Sequence, residues 1–193
     1  MSEEIHQIEE DACFIYIPNA ITEEKEELEE LYQLLIQKEK IKFVLYGKEC
    51  TMQRKQALFG PKNYTFSNQT FAPEEKMNSL VQKCINYANQ KYPFQFNTAL
   101  CNLYQNGKDY ISPHRDNEAA HQIGIPILTF SFGTERKFLI TNKRHERKYH
   151  QTFPLQHQSC GIMLGNLFQK KYKHSIPRDK SEEWRISITV RKF

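Results

Sequence analysis

The sequence predicts an α+β protein in which two helices brace one sheet of a double-sheet barrel or jelly roll. Apolar residues recur at helical spacing in two segments before residue 95, and the rest of the chain reads as short strands separated by turn-forming Asn-Gly, Gly-Thr and Pro segments. With 193 residues, the chain can bury the core of one domain. Two helices followed by many short strands favour this layered architecture.

The two predicted helices follow a short apolar strand, Cys13–Ile17. We expect the first helix to span residues 23–38, with Thr22 as its N-cap and an acidic first turn that complements the helix dipole. The second helix is predicted to begin near Pro73 and to end near Gln90, since proline is favoured in a first turn. Its apolar positions lie on one face: Met77, Leu80, Val81, Cys84, Ile85 and Ala88.

The segments around the second helix are predicted to be mostly strands. Residues 41–48 read as a strand that turns at Gly47, and residues 54–71 as short strands and loops. After residue 95 the predicted strands cover residues 96–104, 127–132, 137–141, 161–164 and 184–192. The last of them alternates large apolar and polar side chains, and its polar face contains Arg185, Ser187, Thr189 and Arg191.

This polar face has two interpretations. It is either an edge strand whose arginines are in water, which is the commoner fate of arginine, or an anion site, since a guanidinium group can bind a carboxylate through two parallel hydrogen bonds. Asn102 and Tyr104 lie on the same side of their own strand and would add an amide and a phenol to such a pocket.

His114 and Asp116 are the candidate metal ligands. They are separated by one residue, so in an extended segment their side chains project from the same face. A further histidine, for which His174 is available, would complete the facial triad of two histidines and one carboxylate that is typical of non-haem Fe(II) oxygenases. A surface histidine beside an aspartate is more often a solvated pair, so the spacing alone leaves both interpretations open.

The net charge of +4 is unevenly distributed. Residues 1–30 contain eleven acidic side chains and one lysine, so residues 31–193 carry a balance of +14. A basic excess with interleaved aromatic residues favours a nucleic-acid partner, although basic runs are often only solvated surface. The five scattered cysteines predict neither a disulfide framework nor a zinc site. We expect an intracellular protein with no membrane association, because the acidic N-terminus is unlike a signal peptide and no segment has the apolar length of a membrane span.

Taken together, these residues resemble the AlkB family of Fe(II)/2-oxoglutarate-dependent dioxygenases. The matching segments are Asn102-Leu-Tyr104, Gly107-Lys-Asp109, His114-Arg-Asp116-Asn-Glu118, Ser131-Phe-Gly133, Phe138-Leu139, His174-Ser-Ile-Pro177 and Arg185-x5-Arg191. Upstream, the segments Arg54-Lys-Gln-Ala, Phe59-Gly60 and Tyr64-Thr-Phe66-Ser are similar to the branch of the family that repairs alkylated duplex DNA in eukaryotic nuclei. The resemblance covers roughly residues 43–193 and leaves out the acidic N-terminal segment.

The resemblance implies a double-stranded β-helix (jelly-roll) barrel with a nucleotide-recognition hairpin region. Within one compact domain we therefore distinguish residues 1–40, an acidic N-terminal segment and helix, from residues 41–95, the nucleotide-recognition region and second helix. Residues 96–193 would form the jelly-roll catalytic core.

The resemblance also implies the ligands of the metal and of the cosubstrate. Fe(II) would be bound by His114, Asp116 and His174. The residues that would bind 2-oxoglutarate or line its pocket are Asn102, Tyr104, Arg185, Thr189 and Arg191. Among them, Arg185 would bind the distal carboxylate.

Substrate contacts are implied for Tyr46, Arg54, Tyr64, Phe66 and Glu118. In this arrangement Phe66 and the ring of His114 would enclose an extruded base, with Tyr64 and Glu118 at its polar edge. Tyr46, near the turn of the 41–48 segment, would enter the base stack and fill the gap. Without the resemblance, Tyr64 and Phe66 would be interpreted as core residues.

The implied activity is oxidative demethylation of bases such as 1-methyladenine and 3-methylcytosine in DNA. It would use Fe(II), O2 and 2-oxoglutarate and release formaldehyde, succinate and CO2. We expect a monomer that prefers duplex over single-stranded DNA and is nuclear if the organism is eukaryotic. Two alternatives stay open: the same chemistry on RNA or protein, and a non-catalytic nucleic-acid-binding barrel, against which the complete triad and both arginines argue.

Overall fold

The computed structural model describes residues 2–45, 47–66, 69–116, 124–142 and 149–193. These residues form fifteen strands and three helices. The strands are β1 (Glu4–Glu9), β2 (Ala12–Ile17), β3 (Lys42–Leu45), β4 (Lys48–Thr51), β5 (Lys55–Phe59), β6 (Tyr64–Phe66), β7 (Gln69–Phe71), β8 (Thr98–Tyr104), β9 (Ile111–His114), β10 (Ile127–Gly133), β11 (Arg136–Asn142), β12 (Tyr149–Leu155), β13 (Cys160–Leu164), β14 (Lys173–Ile176) and β15 (Arg185–Arg191). The helices are α1 (Lys25–Gln37), α2 (Ser79–Lys91) and α3 (Phe168–Lys171).

Two antiparallel sheets make up most of the structure. The larger has seven strands in the order β1-β2-β13-β10-β15-β8-β5, and the smaller has four in the order β12-β11-β14-β9. Two hairpins, β3–β4 and β6–β7, stand outside these sheets. Strands far apart in the chain are neighbours in both sheets, an arrangement consistent with the predicted jelly roll.

The large sheet is covered on both faces. On one face Ile186, Ile188 and Val190 of β15 belong to a buried cluster that also contains residues of α1 and α2. On the other face Phe14 of β2 packs with Phe138 of the small sheet, with ring centroids 5.2 Å apart. The alternation of side chains along each strand therefore supplies two cores, one under the helices and one between the sheets.

Strand β15 confirms the predicted alternation but not its interpretation as an edge strand. It lies inside the large sheet, paired with β10 on one side and β8 on the other. Its two arginines, Arg185 and Arg191, are buried and do not face open water. The predicted strand at residues 41–48 is the β3–β4 hairpin, in which Gly47 adopts a φ of +76°, a backbone region that favours glycine.

Both helices begin later than predicted. Helix α1 begins at Lys25, and its first turn is closed by the backbone N–H of Glu24, which donates to the Glu27 carboxylate at 3.0 Å, so the assignment of Thr22 as N-cap was wrong. Helix α2 begins at Ser79 because the side chain of Asn78 accepts hydrogen bonds from the N–H groups of the first turn.

Pro73 does not start α2. It forms an isolated bridge with Leu58 of β5 instead. Met77 precedes the helix and is 37% exposed, so it is not part of the apolar face that the sequence predicted. Among the described residues, no helix combines the length and the apolar character that a membrane crossing requires.

We expect Leu35→Ala to lower the free energy of unfolding by about 2–5 kcal/mol, because Leu35 is fully buried where α1 packs on the large sheet. Urea denaturation measures this change. The neighbouring exposed substitution Gln33→Ala should change the value by less than about 0.5 kcal/mol. Equal effects of the two substitutions would contradict the packing of α1 described above.

Candidate active site

The two candidate histidine ligands are brought together by strand pairing in the small sheet. Strands β9 and β14 are antiparallel neighbours, and in their register His114 lies directly opposite His174. Their ring centroids are 4.3 Å apart. On its other side, β14 pairs with β11, from which Phe138 stacks on His174 with ring centroids 5.5 Å apart. The small sheet thus fixes both imidazoles.

Asp116 is placed beside the histidines by contacts other than strand pairing. Strand β9 ends at His114, so the extended segment assumed from the His-x-Asp spacing does not continue to Asp116. The Asp116 side chain is instead held from the large sheet, where Arg191 Nη2 donates to its Oδ2 at 2.8 Å. Its backbone N–H donates to Oε1 of Gln169 at 2.8 Å. These bonds place a carboxylate that is 2% exposed beside both rings.

The protonation states suit metal binding. Burial alone would raise the pKa of the Asp116 carboxyl, but Arg191, His174 and His114 hold that pKa well below its usual range. Burial and the neighbouring His114 lower the pKa of His174 to about 3. Nδ1 of His114 lies 2.9 Å from the carbonyl oxygen of Ser112, which can only accept, so Nδ1 carries the proton and Nε2 faces Asp116.

These three side chains form a donor set that fits Fe(II). One ligand atom from each of His114, Asp116 and His174 lies within 4.8 Å of the others. Two imidazoles and one carboxylate are the ligands of the facial triad, which leaves coordination positions open for a cosubstrate and for O2. The bond from His114 to Ser112 fixes the ring orientation in the way that outer-shell partners of metal-bound histidines do.

Next to the triad, Arg185 provides a buried anion-binding group. The residue is 1% exposed, and its Nη2 donates to Ser131 Oγ at 2.8 Å. Among the described residues, its Nε and Nη1 have no hydrogen-bond partner. Burial lowers the pKa of Arg185 to about 10, so it remains a cation at neutral pH. A buried guanidinium with N–H donors still unused suits an anionic ligand such as a carboxylate.

Asn102 is oriented by Gln56 of β5 and by Arg54, which directly precedes that strand. Its Oδ1 accepts from Nε of Arg54 at 2.9 Å and from Nε2 of Gln56 at 2.8 Å. Its Nδ2 has only a long contact of 3.4 Å to Ser187 Oγ. With its oxygen engaged by Arg54 and Gln56, the Asn102 amide has its N–H donors left for the pocket that it lines.

Most of the site residues predicted from the sequence line one pocket: Arg54, Tyr64, Asn102, Tyr104, His114, Asp116, His174, Arg185, Thr189 and Arg191. Arg54, predicted to contact substrate, is buried behind Asn102. The hydroxyl of Tyr64 accepts from Arg191 Nη1 at 2.8 Å, and its ring stacks on Phe193. Tyr46, Glu118 and the side chain of Phe66 lie outside the described residues.

Sequence reasoning missed several residues that hold the site in place. Ser131 binds Arg185, Thr129 lies 3.5 Å from Thr189 between their hydroxyl oxygens, and Gln56 orients Asn102. The alternation along the predicted strand at residues 127–132 would have placed Thr129 and Ser131 on one face. Gln169, in the short helix α3, carried no such signal because its contact with Asp116 spans a long stretch of chain.

The fold and the site define an iron- and 2-oxoglutarate-dependent oxygenase. A family model described as the 2OG-Fe(II) oxygenase superfamily matches residues 14–191, so the chain belongs to that superfamily. The members of this superfamily use Fe(II), 2-oxoglutarate and O2, which confirms the cofactors predicted from the sequence.

Individual relatives are AlkB homologues, as the sequence predicted. The chain is 31% identical over 158 residues to DNA oxidative demethylase ALKBH2 of Homo sapiens. This match covers 77% of this chain and 60% of the relative. It is 31% identical over 143 residues to alkB homolog 3 of Homo sapiens, an alpha-ketoglutarate-dependent dioxygenase, covering 70% of this chain and 50% of the relative. The chain thus spans only about half to three fifths of the length of these relatives.

A solved structure supports the fold independently of close sequence similarity. The structure of OsALKBH1 superposes with a TM-score of 0.64 at 13% identity, and the match covers 98% of this chain and 100% of that one. At this identity the likeness concerns the fold alone.

We expect Asp116→Asn to abolish binding of Mn(II), a redox-stable substitute for Fe(II), in calorimetric titration. The amide keeps the shape of the side chain and its contact with Arg191 but loses the charge that a hard divalent ion requires. As a control, His157→Gln, at an exposed histidine outside the triad, should bind Mn(II) as the parent protein does. Parent-like affinity in Asp116→Asn would exclude Asp116 as a ligand.

Proposed function

We propose that this protein is an Fe(II)/2-oxoglutarate-dependent dioxygenase that removes N-linked methyl groups from bases in DNA. The observation that carries the proposal is that the metal triad and the buried guanidinium of Arg185 line one pocket. The proposed substrate class is supported by the relatives named DNA oxidative demethylase. It is also supported by the basic balance of the chain after residue 30.

The charges of the pocket favour a dianionic cosubstrate. Arg191 is paired with Asp116, whereas Arg54 and Arg185 form no ion pair with a carboxylate among the described residues. Two cations without a local counter-ion suit a dicarboxylate such as 2-oxoglutarate. Arg185, a buried cation that lines the pocket, would bind the distal carboxylate, and the amide of Asn102 and the hydroxyl of Tyr104 would contact the other end.

The residues of this chain hold and orient the reactants. The triad would bind Fe(II), and the metal with O2 supplies the oxidising power for two coupled oxidations. In one, 2-oxoglutarate is converted to succinate and CO2; in the other, the N-methyl carbon of the substrate gains a hydroxyl group. The resulting hemiaminal breaks its C–N bond and releases formaldehyde and the unmodified base. Burial of the pocket excludes water from this chemistry.

A groove beside the pocket would receive the base. It shares Arg54, Ile111 and His114 with the pocket. Its other lining residues come from β3, from the end of β4 and the two residues after it, and from β9 and the residue before it. A base in this groove would lie against the imidazole of His114, close to the metal. Phe66 would cover its other face, with Tyr64 and Glu118 at its polar edge, while Tyr46 would enter the duplex in its place.

At the rim of this groove, Arg178 would contribute to binding of the nucleic-acid backbone. Its guanidinium lies 4.4 Å from the ring centroid of Tyr110, and Tyr110 lines the groove. A cation on an aromatic platform is held in position and can still bind a phosphate oxygen. Arg178 is exposed, so its contribution would fall as the salt concentration rises.

The experiment that tests the proposal is mass spectrometry of oligonucleotides that carry 1-methyladenine or 3-methylcytosine. Duplex DNA, single-stranded DNA and RNA of the same sequence are incubated with the protein, Fe(II) and ascorbate, with and without 2-oxoglutarate. We expect loss of the methyl mass from DNA only when 2-oxoglutarate is present, and faster loss from the duplex. Demethylation of RNA alone would replace DNA as the substrate class, and no demethylation of any strand would overturn the proposal.

We expect Arg185→Met to raise the KM for 2-oxoglutarate by about 10- to 100-fold, because each charge-assisted hydrogen bond contributes roughly 1.5–3 kcal/mol. Succinate formation measures this change. The substitution replaces a buried cation by an apolar side chain of similar length, so the melting temperature should not fall. Lys25→Met, at an exposed cation of α1 that lines neither the pocket nor the groove, is the control and should leave this KM unchanged. An unchanged KM in Arg185→Met would move the cosubstrate site elsewhere.

A further inference from the structure

We propose that Gln169 is a positioning residue for the metal ligand Asp116, and that the N-terminal β1–β2 hairpin holds Gln169 in place. This inference rests on the proposed iron site and extends it to a part of the chain outside the pocket. It also gives a role to the acidic N-terminal segment, which the sequence left unexplained.

The contact between Gln169 and Asp116 is directional. Oε1 of Gln169 accepts the backbone N–H of Asp116 at 2.8 Å, and Nε2 of Gln169 donates to Sδ of Met163 at 3.4 Å. Met163 belongs to β13 and lines the pocket. The sulfur can only accept, so it favours the amide orientation in which the oxygen of Gln169 faces Asp116.

The bond from Gln169 fixes the backbone of Asp116, which β9 does not hold. Asp116 follows the end of β9, so its N–H has no ladder partner there. Arg191 holds the carboxylate and Gln169 holds the backbone. With both ends held, the ligand oxygen has a defined distance from the imidazoles of His114 and His174. Outer-shell hydrogen bonds of this kind commonly set metal affinity.

Gln169 needs an external support, because α3 contains only four residues and lacks a side-chain cap. The turn between β1 and β2 provides that support. Both oxygens of the Asp11 carboxylate accept hydrogen bonds from Asn166, from its backbone N–H at 3.1 Å and from its Nδ2 at 2.8 Å. The carbonyl oxygen of Asp11 accepts from the N–H of Leu167 at 3.0 Å.

Two further contacts join the hairpin to the same segment. Glu9, the last residue of β1, forms an ion pair with Lys171 at 2.9 Å. Gly165 adopts a φ of +105°, and a Cβ atom there would lie 2.3 Å from the carbonyl oxygen of Asp11. The close approach of the two backbones therefore depends on glycine at this position. The path from the hairpin to the metal site runs through Asp11, Asn166, Gln169 and Asp116.

The test compares Gln169→Met with Gln169→Glu. Methionine keeps the length of the side chain but offers no strong acceptor to the Asp116 N–H, whereas glutamate keeps an oxygen at that position. We expect Gln169→Met to weaken Mn(II) binding about 10-fold in calorimetric titration and to accelerate amide hydrogen exchange at Asp116. Gln169→Glu should restore slow exchange. Asp11→Ala should change both quantities in the same direction as Gln169→Met, by a smaller factor.

Two controls separate positioning from general destabilisation. Gln82→Met, at an exposed glutamine of α2 whose side chain bonds to Asn86, should leave Mn(II) affinity unchanged. Leu35→Ala lowers stability from a distant core and should also leave that affinity unchanged. If Gln169→Met binds Mn(II) as tightly as the parent and shows unchanged exchange at Asp116, the proposal is wrong. If the parent protein itself binds no Mn(II), the proposed iron site fails first.

Discussion

The arrangement of the site depends on the buried ion pair between Arg191 and Asp116, which connects the two sheets. Arg191 ends β15 in the large sheet, Asp116 follows β9 in the small one, and the two residues are 5% and 2% exposed. A carboxylate at this depth would take up a proton if it stood alone, and it would then no longer be a good metal ligand. The guanidinium keeps it ionised, so the same contact that joins the sheets also keeps the triad ready to bind a divalent ion.

The features that the sequence predicted correctly are those that depend on local periodicity. The alternation in β15 placed Arg185, Thr189 and Arg191 on one face, and the structure confirms it because side-chain direction follows strand parity alone. The opposition of His114 and His174 depends on β9 pairing with β14, two short strands whose polar and proline residues lack a strand pattern. The start of α2 was misplaced because proline in a first turn is only a preference, whereas the Asn78 side chain bonds two N–H groups directly.

The separation of acidic and basic residues along the chain does not persist in three dimensions. Strands β1 and β2 extend the large sheet, and acidic residues of the N-terminal segment pair with lysines from elsewhere: Glu3 with Lys91, Glu9 with Lys171, Glu27 with Lys83 and Glu30 with Lys76. Exposed pairs of this kind stabilise weakly on their own. They place acidic side chains of the N-terminal segment beside lysines of the basic part of the chain, so the two signs of charge are interleaved in the fold.

The unpaired cations of the pocket also explain why its binding groups are so firmly held. Arg54 and Arg185 are buried without a carboxylate partner among the described residues, which opposes folding because a buried charge loses its hydration. Neutral contacts offset part of this cost, from Ser131 and the ring of Tyr104 to Arg185 and from Asn102 to Arg54. These contacts orient the guanidinium groups before any ligand arrives. A dianion that enters the pocket therefore meets donors already in position and relieves the charge that the fold leaves unbalanced, so its binding and the stability of the folded chain are coupled.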